Sequence, residues 1–420
     1  MDKVNFLVGS KDLDSKGFKV FDDTALSFLE TLSKEITTDS RGRLYPDLMT
    51  LAFYLRKANL KALIEKTGAV KNRLGRGLTF HITPSNIPLN FAFSYVFSLL
   101  SGNANVVRLP SKDFPQVSLF IEIFKKVLDR EEFAKIKAKT AFVRYPHESS
   151  ANEYYSNMAN TRMIWGGDET VALFKTFKTH PRCLDISFAD RYSLALIDCK
   201  SLENIEDSAL KQLAVNFYND TFAIDQNACS SPKTVLWIKS DGAEGNALKD
   251  KFYKALHEVV ISKYELQDSV AVDKFTQLCV DAINLNNTNN TDKANCVDSK
   301  VWTSNTTPSI KFEKGEDNLI YRIALKDDLE GVEQLETLSF KAGYFYEANL
   351  SSLEPLLKLT NTKFQTLCVY GIDKEQVIDY LIENGCTGID RVVNIGRALD
   401  IDVNWDGFDL IRTFSREITL

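Results

Sequence analysis

A single cysteine stands in FAIDQNACSSPKTVLW, residues 222–237, between a helix-like stretch and a strand-like one. Its neighbours Ala228, Ser230 and Ser231 are small and leave room for a substrate. A thiolate at Cys229 could attack an activated carbonyl and hold the acyl group as a thioester. Free cysteine is also among the most buried residue types, so the pattern by itself leaves an inert core thiol open. No histidine lies close enough in sequence to suggest a protease-like dyad.

Three further segments could supply the other parts of such chemistry. In TPSNIPLN, Pro84 and Pro88 stiffen the chain around Asn86, between the strand-like LTFHI and a helix. A primary amide held there could donate to an oxyanion without carrying charge, or it could cap the helix that follows. In WGGDE, Gly166 and Gly167 stand between a strand and a helix, where backbone N–H groups can approach a pyrophosphate. Asp168 and Glu169 would compete with an anion at that helix end, which leaves an ordinary strand-to-helix turn open. In VVRLPSK, Arg108 and Lys112 flank a proline turn; they are either solvated surface or a hold on a nucleotide phosphate.

The elements that must position these residues follow from periodicity. DDTALSFLETLSKEI and PDLMTLAFYLRKANLKALIEK carry apolar residues three and four apart and read as helices, expected to pack on a sheet edge. From about residue 74, strands GLTFHITP, ANVVRLP, TAFVRYP and TRMIWGG alternate with helices NFAFSYVFSLLS, PQVSLFIEIFKKVLDR and DETVALFKTFK. That rhythm predicts a doubly wound parallel sheet with a ligand crevice at its strand ends. A second α/β unit is expected from RYSLALID, SALKQLAVNFYND, KTVLWIK, the long helix NALKDKFYKALHEVVISKY, NLIYRIAL, TLCVYG and DKEQVIDYLIENG. INLNNTNNTDKAN, residues 283–295, reads as a surface loop, and WDGFDLIRTFSREITL ends in strand-like alternation.

Bulk properties narrow the classes. A chain of 420 residues exceeds one ordinary core, and 44% hydrophobic with 26% charged residues suits a soluble globular protein. The 51 basic and 57 acidic residues are well mixed, which argues against nucleic acid as a partner. The start, MDKVNFLVGSKDLDSKGF, lacks the apolar core of a secretory signal, so a cytoplasmic location is expected. HITPSNIPLNFAFSYVFSLLSGNANVV contains no Asp, Glu, Lys or Arg. Prolines and asparagines nevertheless cut its apolar middle, Phe91 to Leu100, to half of the roughly 20 residues a membrane span needs, so a buried helix is expected. The seven cysteines are scattered without a C-x-x-C pair, and the four histidines lack ligand spacing. No metal site or disulfide framework is indicated.

TPSNIPLNFAFSYVFSLLSGNANVVRLPS, IWGG, DQNACSSP, KFQTLCVYGIDKEQ and GIDRVVNIGRALDIDVNWDGFDLI, in that order, resemble the LuxC family of acyl-CoA reductases. More distantly they resemble the aldehyde dehydrogenase superfamily. The resemblance implies an α/β fold of aldehyde dehydrogenase type, with a Rossmann-type cofactor domain and a second α/β catalytic domain. The implied boundaries are N-terminal helices and dinucleotide-binding domain at 1–188, cysteine domain at 189–395, and a segment at 396–420 that returns to the cofactor domain or forms an oligomer interface. It implies that Cys229 is the nucleophile and that Asn86, with the backbone N–H of Cys229, forms the oxyanion hole. It further implies that Thr83, Pro84, Ser85, Arg108, Pro110, Ser111, Gly166 and Gly167 lie beside the cofactor. Ser111 stands where many NAD-using members carry an acid, so with Arg108 and Lys112 nearby NADPH is the cofactor expected.

The superfamily's water-activating glutamate is missing: the corresponding run reads LDISFADRYSLAL, and neither Asp185 nor Asp190 sits in the pattern. That departure suits a reductase which keeps its thioester dry. The expected substrate is a fatty acyl-CoA or an acyl-protein, with an acyl-protein synthetase as a possible partner, a homo-oligomer as the expected assembly and luminescence as a family association. Reduction of a small acyl phosphate, semialdehyde oxidation, or a noncatalytic acyl-carrying role in a fatty acid reductase complex are the alternatives the sequence leaves open.

Overall fold

The computed structural model describes residues 4–84, 87–239, 242–286 and 317–419. These form two compact units, one from residues 1–190 with 402–420 and one from residues 191–401.

The first unit begins with β1 (Asn5–Val8), α1 (Asp23–Thr38), α2 (Pro46–Tyr54), α3 (Lys57–Thr67) and the short β2 (Arg73–Gly75). The βαβ rhythm follows as β3 (Leu78–Ile82), α4 (Asn90–Leu100), β4 (Ala104–Arg108), α5 (Pro115–Leu128), α6 (Ala134–Lys137) and β5 (Thr140–Arg144). It continues through α7 (Ala151–Met158), β6 (Thr161–Trp165), α8 (Asp168–Thr176) and β7 (Leu184–Phe188). The sheet order is β1-β5-β4-β3-β6-β7, parallel except for β1 at one edge. From β3 the chain winds outward to β4 and β5, then returns to β6 on the other side of β3. The topological switch therefore lies between β3 and β6.

Asp22 caps α1 by accepting from the Thr24 N–H at 3.1 Å, and Ala25, Phe28, Leu29, Leu32 and Ile36 line its buried face. This helix does not pack on a sheet edge as its amphipathic pattern suggested. It lies on α2 and α5, where Phe28 meets Phe124 edge-on with ring centroids 5.2 Å apart and Ser33 donates to the Ala52 carbonyl at 2.6 Å. The charge-free helix α4 has nine buried residues, Phe91, Ala92 and the run Ser94 to Leu100, which explains a composition that imitates a membrane segment. No helix among the described residues is long and apolar enough to cross a membrane.

The second unit runs β8 (Tyr192–Asp198), α9 (Asp207–Asp220), β9 (Pro232–Ile238), α10 (Gly242–Lys263), α11 (Asp268–Asn286), β10 (Tyr321–Ala324) and β11 (Tyr344–Leu350). It ends with α12 (Glu354–Leu359), β12 (Phe364–Tyr370), α13 (Lys374–Glu383) and β13 (Arg391–Asn394). Its sheet, β10-β11-β9-β8-β12-β13, is parallel throughout. Both faces are buried: Leu194 and Leu196 of β8 enter one apolar cluster, Ala195 and Ile197 the other. The first residues of the expected loop at 283–295 instead complete α11, and residues 287–295 lie outside the described residues.

The tail joins the first unit as β14 (Asn404–Trp405), β15 (Phe408–Asp409), α14 (Leu410–Phe414) and β16 (Ser415–Glu417). The expected terminal strand is thus split, because Asp409 caps a short helix by accepting from the Arg412 N–H at 2.9 Å. β16 pairs antiparallel with β2 of the same chain.

Candidate functional site

The residues expected beside a cofactor gather at one end of the first unit's sheet. Ile82 pairs with Arg108 across β3 and β4, and with Ile164 across β3 and β6, so the three strands end level. The Thr83 hydroxyl donates to the Arg108 carbonyl at 2.7 Å and ties the ends of β3 and β4 together. Thr83 and Pro84 leave β3, and Gly166 and Gly167 leave β6, on the two sides of the switch point. Ser85 and Asn86, next along the chain, lie outside the described residues.

Arg108, Pro110 and Ser111 follow β4. Arg108 is partly buried, its guanidinium stands 5.1 Å from the centre of the Tyr145 ring, and its Nε is buried without a hydrogen-bond partner. Burial lowers its pKa from the usual arginine value, against the Tyr145 hydroxyl's opposing influence. A buried guanidinium N–H with no acceptor fits an anionic group at this strand end. Pro110 is buried, whereas Ser111 and Lys112 are exposed.

The Gly166–Gly167 turn is built for close backbone approach more than for phosphate. A Cβ on Gly166 would come within 2.9 Å of the Thr170 side chain, and one on Gly167 within 3.0 Å of an Asp190 carboxylate oxygen. Asp168 and Glu169 occupy the first turn of α8, so three carboxyl groups already surround its positive end. Asp185, the other acid of the LDISFAD run, forms an ion pair with the buried Arg162, which donates from Nε at 2.7 Å. Within β3, the fully buried His81 contacts the Ser94 hydroxyl through Nδ1 at 2.7 Å and the Asn105 side-chain oxygen through Nε2 at 3.0 Å. Burial pushes its pKa down to about 4, so it serves as a neutral hydrogen-bonding group in the core.

In the second unit, Cys229 lies in a turn closed by the Ser231 N–H donating to the Ala228 carbonyl at 3.1 Å, just before β9 begins at Pro232. The thiol residue is half-buried. The Cys229 carbonyl accepts from the Ser193 hydroxyl at 2.6 Å, and the same hydroxyl accepts from the Thr366 N–H at 3.1 Å. One serine on β8 therefore fastens the cysteine turn to β12 as well. Ser231 is wholly buried and its hydroxyl has no hydrogen-bond partner.

The turn's approach is conformationally costly. Asp225 and Gln226 both adopt left-handed backbone, with φ of 53° and 54°. The fully buried Gln226 holds them: its side-chain nitrogen donates to the Pro232 carbonyl at 2.9 Å, and its side-chain oxygen accepts from the Gly343 N–H at 2.7 Å. The Lys233 ammonium donates to the Gln226 carbonyl and, at 3.1 Å, to the Phe340 carbonyl. Sequence reasoning passed over Ser193, Gln226, Lys233 and Thr366. The one local signal was Lys233, a charged residue opening the apolar strand KTVLWIK.

Comparison with known proteins gives a family and a fold. The family described as Acyl-CoA reductase (LuxC) matches residues 42–291, more than half of the chain. The chain is 25% identical to the long-chain acyl-protein thioester reductase of Aliivibrio fischeri over 166 residues, 39% of this chain and 32% of that protein. It is 25% identical to the Vibrio harveyi protein of the same name over 209 residues, 48% of this chain and 41% of that one. Each match thus spans less than half of the relative's length. Among solved structures, lactaldehyde dehydrogenase of Escherichia coli superposes with a TM-score of 0.57 at 13% identity, covering 93% of this chain and 85% of the enzyme. Proline utilization A of Bradyrhizobium japonicum gives 0.60 at 12% identity, covering 94% of this chain and 42% of that one. At such identities the likeness concerns the fold. Taken with the family match, it establishes that the chain belongs to the LuxC family of acyl-CoA reductases and has an aldehyde dehydrogenase-like α/β fold.

Proposed function

We propose that this chain reduces a long-chain fatty acyl thioester, carried by CoA or by a protein, to a fatty aldehyde with NADPH. The observation that carries the reading is the cysteine turn: a half-buried cysteine on a loop whose carbonyl accepts from Ser193 of β8, a hydroxyl that is itself bonded to β12. The Cys229 thiolate attacks the acyl carbonyl. The side-chain amide of Asn86 and the Cys229 N–H stabilise the oxyanion, and its collapse expels the carrier thiol and leaves a thioester on Cys229. The nicotinamide cofactor supplies the hydride when bound. The chain's task is to keep the thioester from water until then, and afterwards to release the aldehyde as the Cys229–acyl bond breaks.

Thr83, Pro84, Ser85, Arg108, Pro110, Ser111, Gly166 and Gly167 would hold the cofactor. The unsatisfied Nε of Arg108 and the neutral Ser111 favour a 2′-phosphate. Asp185 is committed to the buried Arg162, which supports reduction over hydrolysis, since a water-activating carboxylate must be free to take a proton. The names of the two bacterial relatives favour a protein-borne acyl donor, and an acyl-protein synthetase is then a fitting partner.

The test is the intact mass of the protein after incubation with long-chain acyl-CoA, without cofactor, beside Cys229→Ala. A hydroxylamine-labile acyl adduct on the wild type alone is expected. An adduct on both proteins, or on neither with acyl-CoA and acyl-protein alike, would overturn the assignment.

A further inference from the structure

The two left-handed residues before Cys229 must be held by their surroundings, because such backbone costs about 1–2 kcal/mol per non-glycine residue. Amide groups could do that work alone: Gln226 bonds Pro232 and Gly343, and the Ala342 N–H donates to the Asp225 carbonyl at 3.0 Å. Yet the chain also buries a lysine here. Lys233 is 9% exposed, and its acceptors are the carbonyls of Gln226 and Phe340. Burying an ammonium against neutral carbonyls is costly, and a neutral donor would have held the loop at lower cost.

The position of the lysine suggests what offsets that cost. Lys233 lies four residues after Cys229, and two of the three N–H bonds of its ammonium reach carbonyls. Burial pushes its pKa down to about 8, and a thiolate at Cys229 would oppose that shift. Coupling between two titrating groups is reciprocal: if a thiolate favours the ammonium, the ammonium favours the thiolate. With a value near 8, the lysine is mostly protonated at neutral pH, where that help is needed.

We propose that Lys233 is the positioning residue of the cysteine turn: it pins the Gln226 and Phe340 carbonyls and supplies the positive charge that favours the Cys229 thiolate. The inference rests on the reading of Cys229 as nucleophile. Its test needs neither acyl donor nor cofactor, so it can fail without the proposed reaction failing, and the reverse.

The experiment is the rate of iodoacetamide alkylation at Cys229 against pH, read by peptide mass spectrometry, with the exposed Cys279 of the same molecule as internal reference. In the wild type, the Cys229 midpoint is expected below that of Cys279. Lys233→Met should raise the Cys229 midpoint by about one unit, a roughly tenfold loss of thiolate at neutral pH. Lys233→Arg should restore most of it, and Cys279 should not change in either variant. A merely structural lysine would leave the midpoint of Cys229 unmoved in a Lys233→Met protein of wild-type thermal stability, and that result would overturn the proposal. If Lys233→Met does not fold, the wild type decides: a Cys229 midpoint at or above that of Cys279 overturns it equally.

Discussion

The two units use the same construction at opposite ends. In the first, residues from β3, β4 and β6 converge at the C-terminal ends of the strands, beside the switch between β3 and β6, where open α/β sheets hold ligands. In the second, the corresponding switch lies between β8 and β12, and the chain closes it with its own groups. Asp198 at the end of β8 pairs with Lys239 and accepts from the Lys200 N–H at 3.0 Å, while the Ser201 hydroxyl donates to the Asp198 carbonyl at 2.6 Å. Gly371, after β12, approaches so closely that a Cβ would stand 2.5 Å from the Ser201 side chain. The cysteine instead precedes β9, at the N-terminal end of that sheet. A parallel sheet offers two ends, and the loops decide which of them carries the residue types that chemistry would need.

That contrast can be broken by substitution, beginning with the largest effect. Cys229→Ala should abolish aldehyde formation, by at least about a thousandfold, with circular dichroism and melting unchanged. Retained turnover would take the nucleophile's role away from Cys229. Asn86→Ala should lower kcat about a hundredfold while altering cofactor affinity little, measured by steady-state kinetics. An unchanged kcat would limit the first unit's role to the cofactor.

Arg108→Ala should sharpen the division of labour. It is expected to raise KM for NADPH about tenfold, leaving KM for NADH and the cofactor-free acylation of Cys229 as they were. Equal effects on both cofactors would remove Arg108 from 2′-phosphate recognition.

The smallest effect separates the units by pH. His81 has a folded pKa near 4, below its unfolded value near 6.5, so the unfolded chain binds more protons between those limits. Its contribution to the first unit's stability is therefore lost as pH falls through that window. Asp220 is the reverse case. Burial raises its carboxyl to about 7, against the Gly396 and Ala398 N–H groups that donate to it, so its contribution is full below about 3.8 and fades as pH rises through 7. Hydrogen exchange in β3 and α9, compared with His81→Gln and Asp220→Asn, should show slopes of opposite sign, each at most about 1.4 kcal/mol per pH unit. Slopes of one sign would show that other groups govern both units.

Much of this fold is legible in the sequence because its signals are local. The buried helix α4 has prolines before it and asparagines after it, and the strands β3, β4 and β6 are bounded by glycine, proline or charge. β1 and β7 escaped notice for physical reasons. β1 is a four-residue edge strand with only Val8 buried, and β7 buries only Ile186 and Phe188 while Asp185 serves Arg162. The tail misled because the helix cap at Asp409 outweighs the alternation that follows it.

The sequence by itself determined the residue types that chemistry needs: a cysteine among small neighbours, glycines after β6 and an arginine ending β4. Only the tertiary structure decided how they are held. Ser193 reaches Cys229 across 36 residues and meets Thr366 across 173, and the Gly343 N–H reaches Gln226 across 117. Local periodicity reports which face of an element is buried, whereas the hydrogen bonds that fix a strained turn depend on strands that become neighbours only when the sheet assembles.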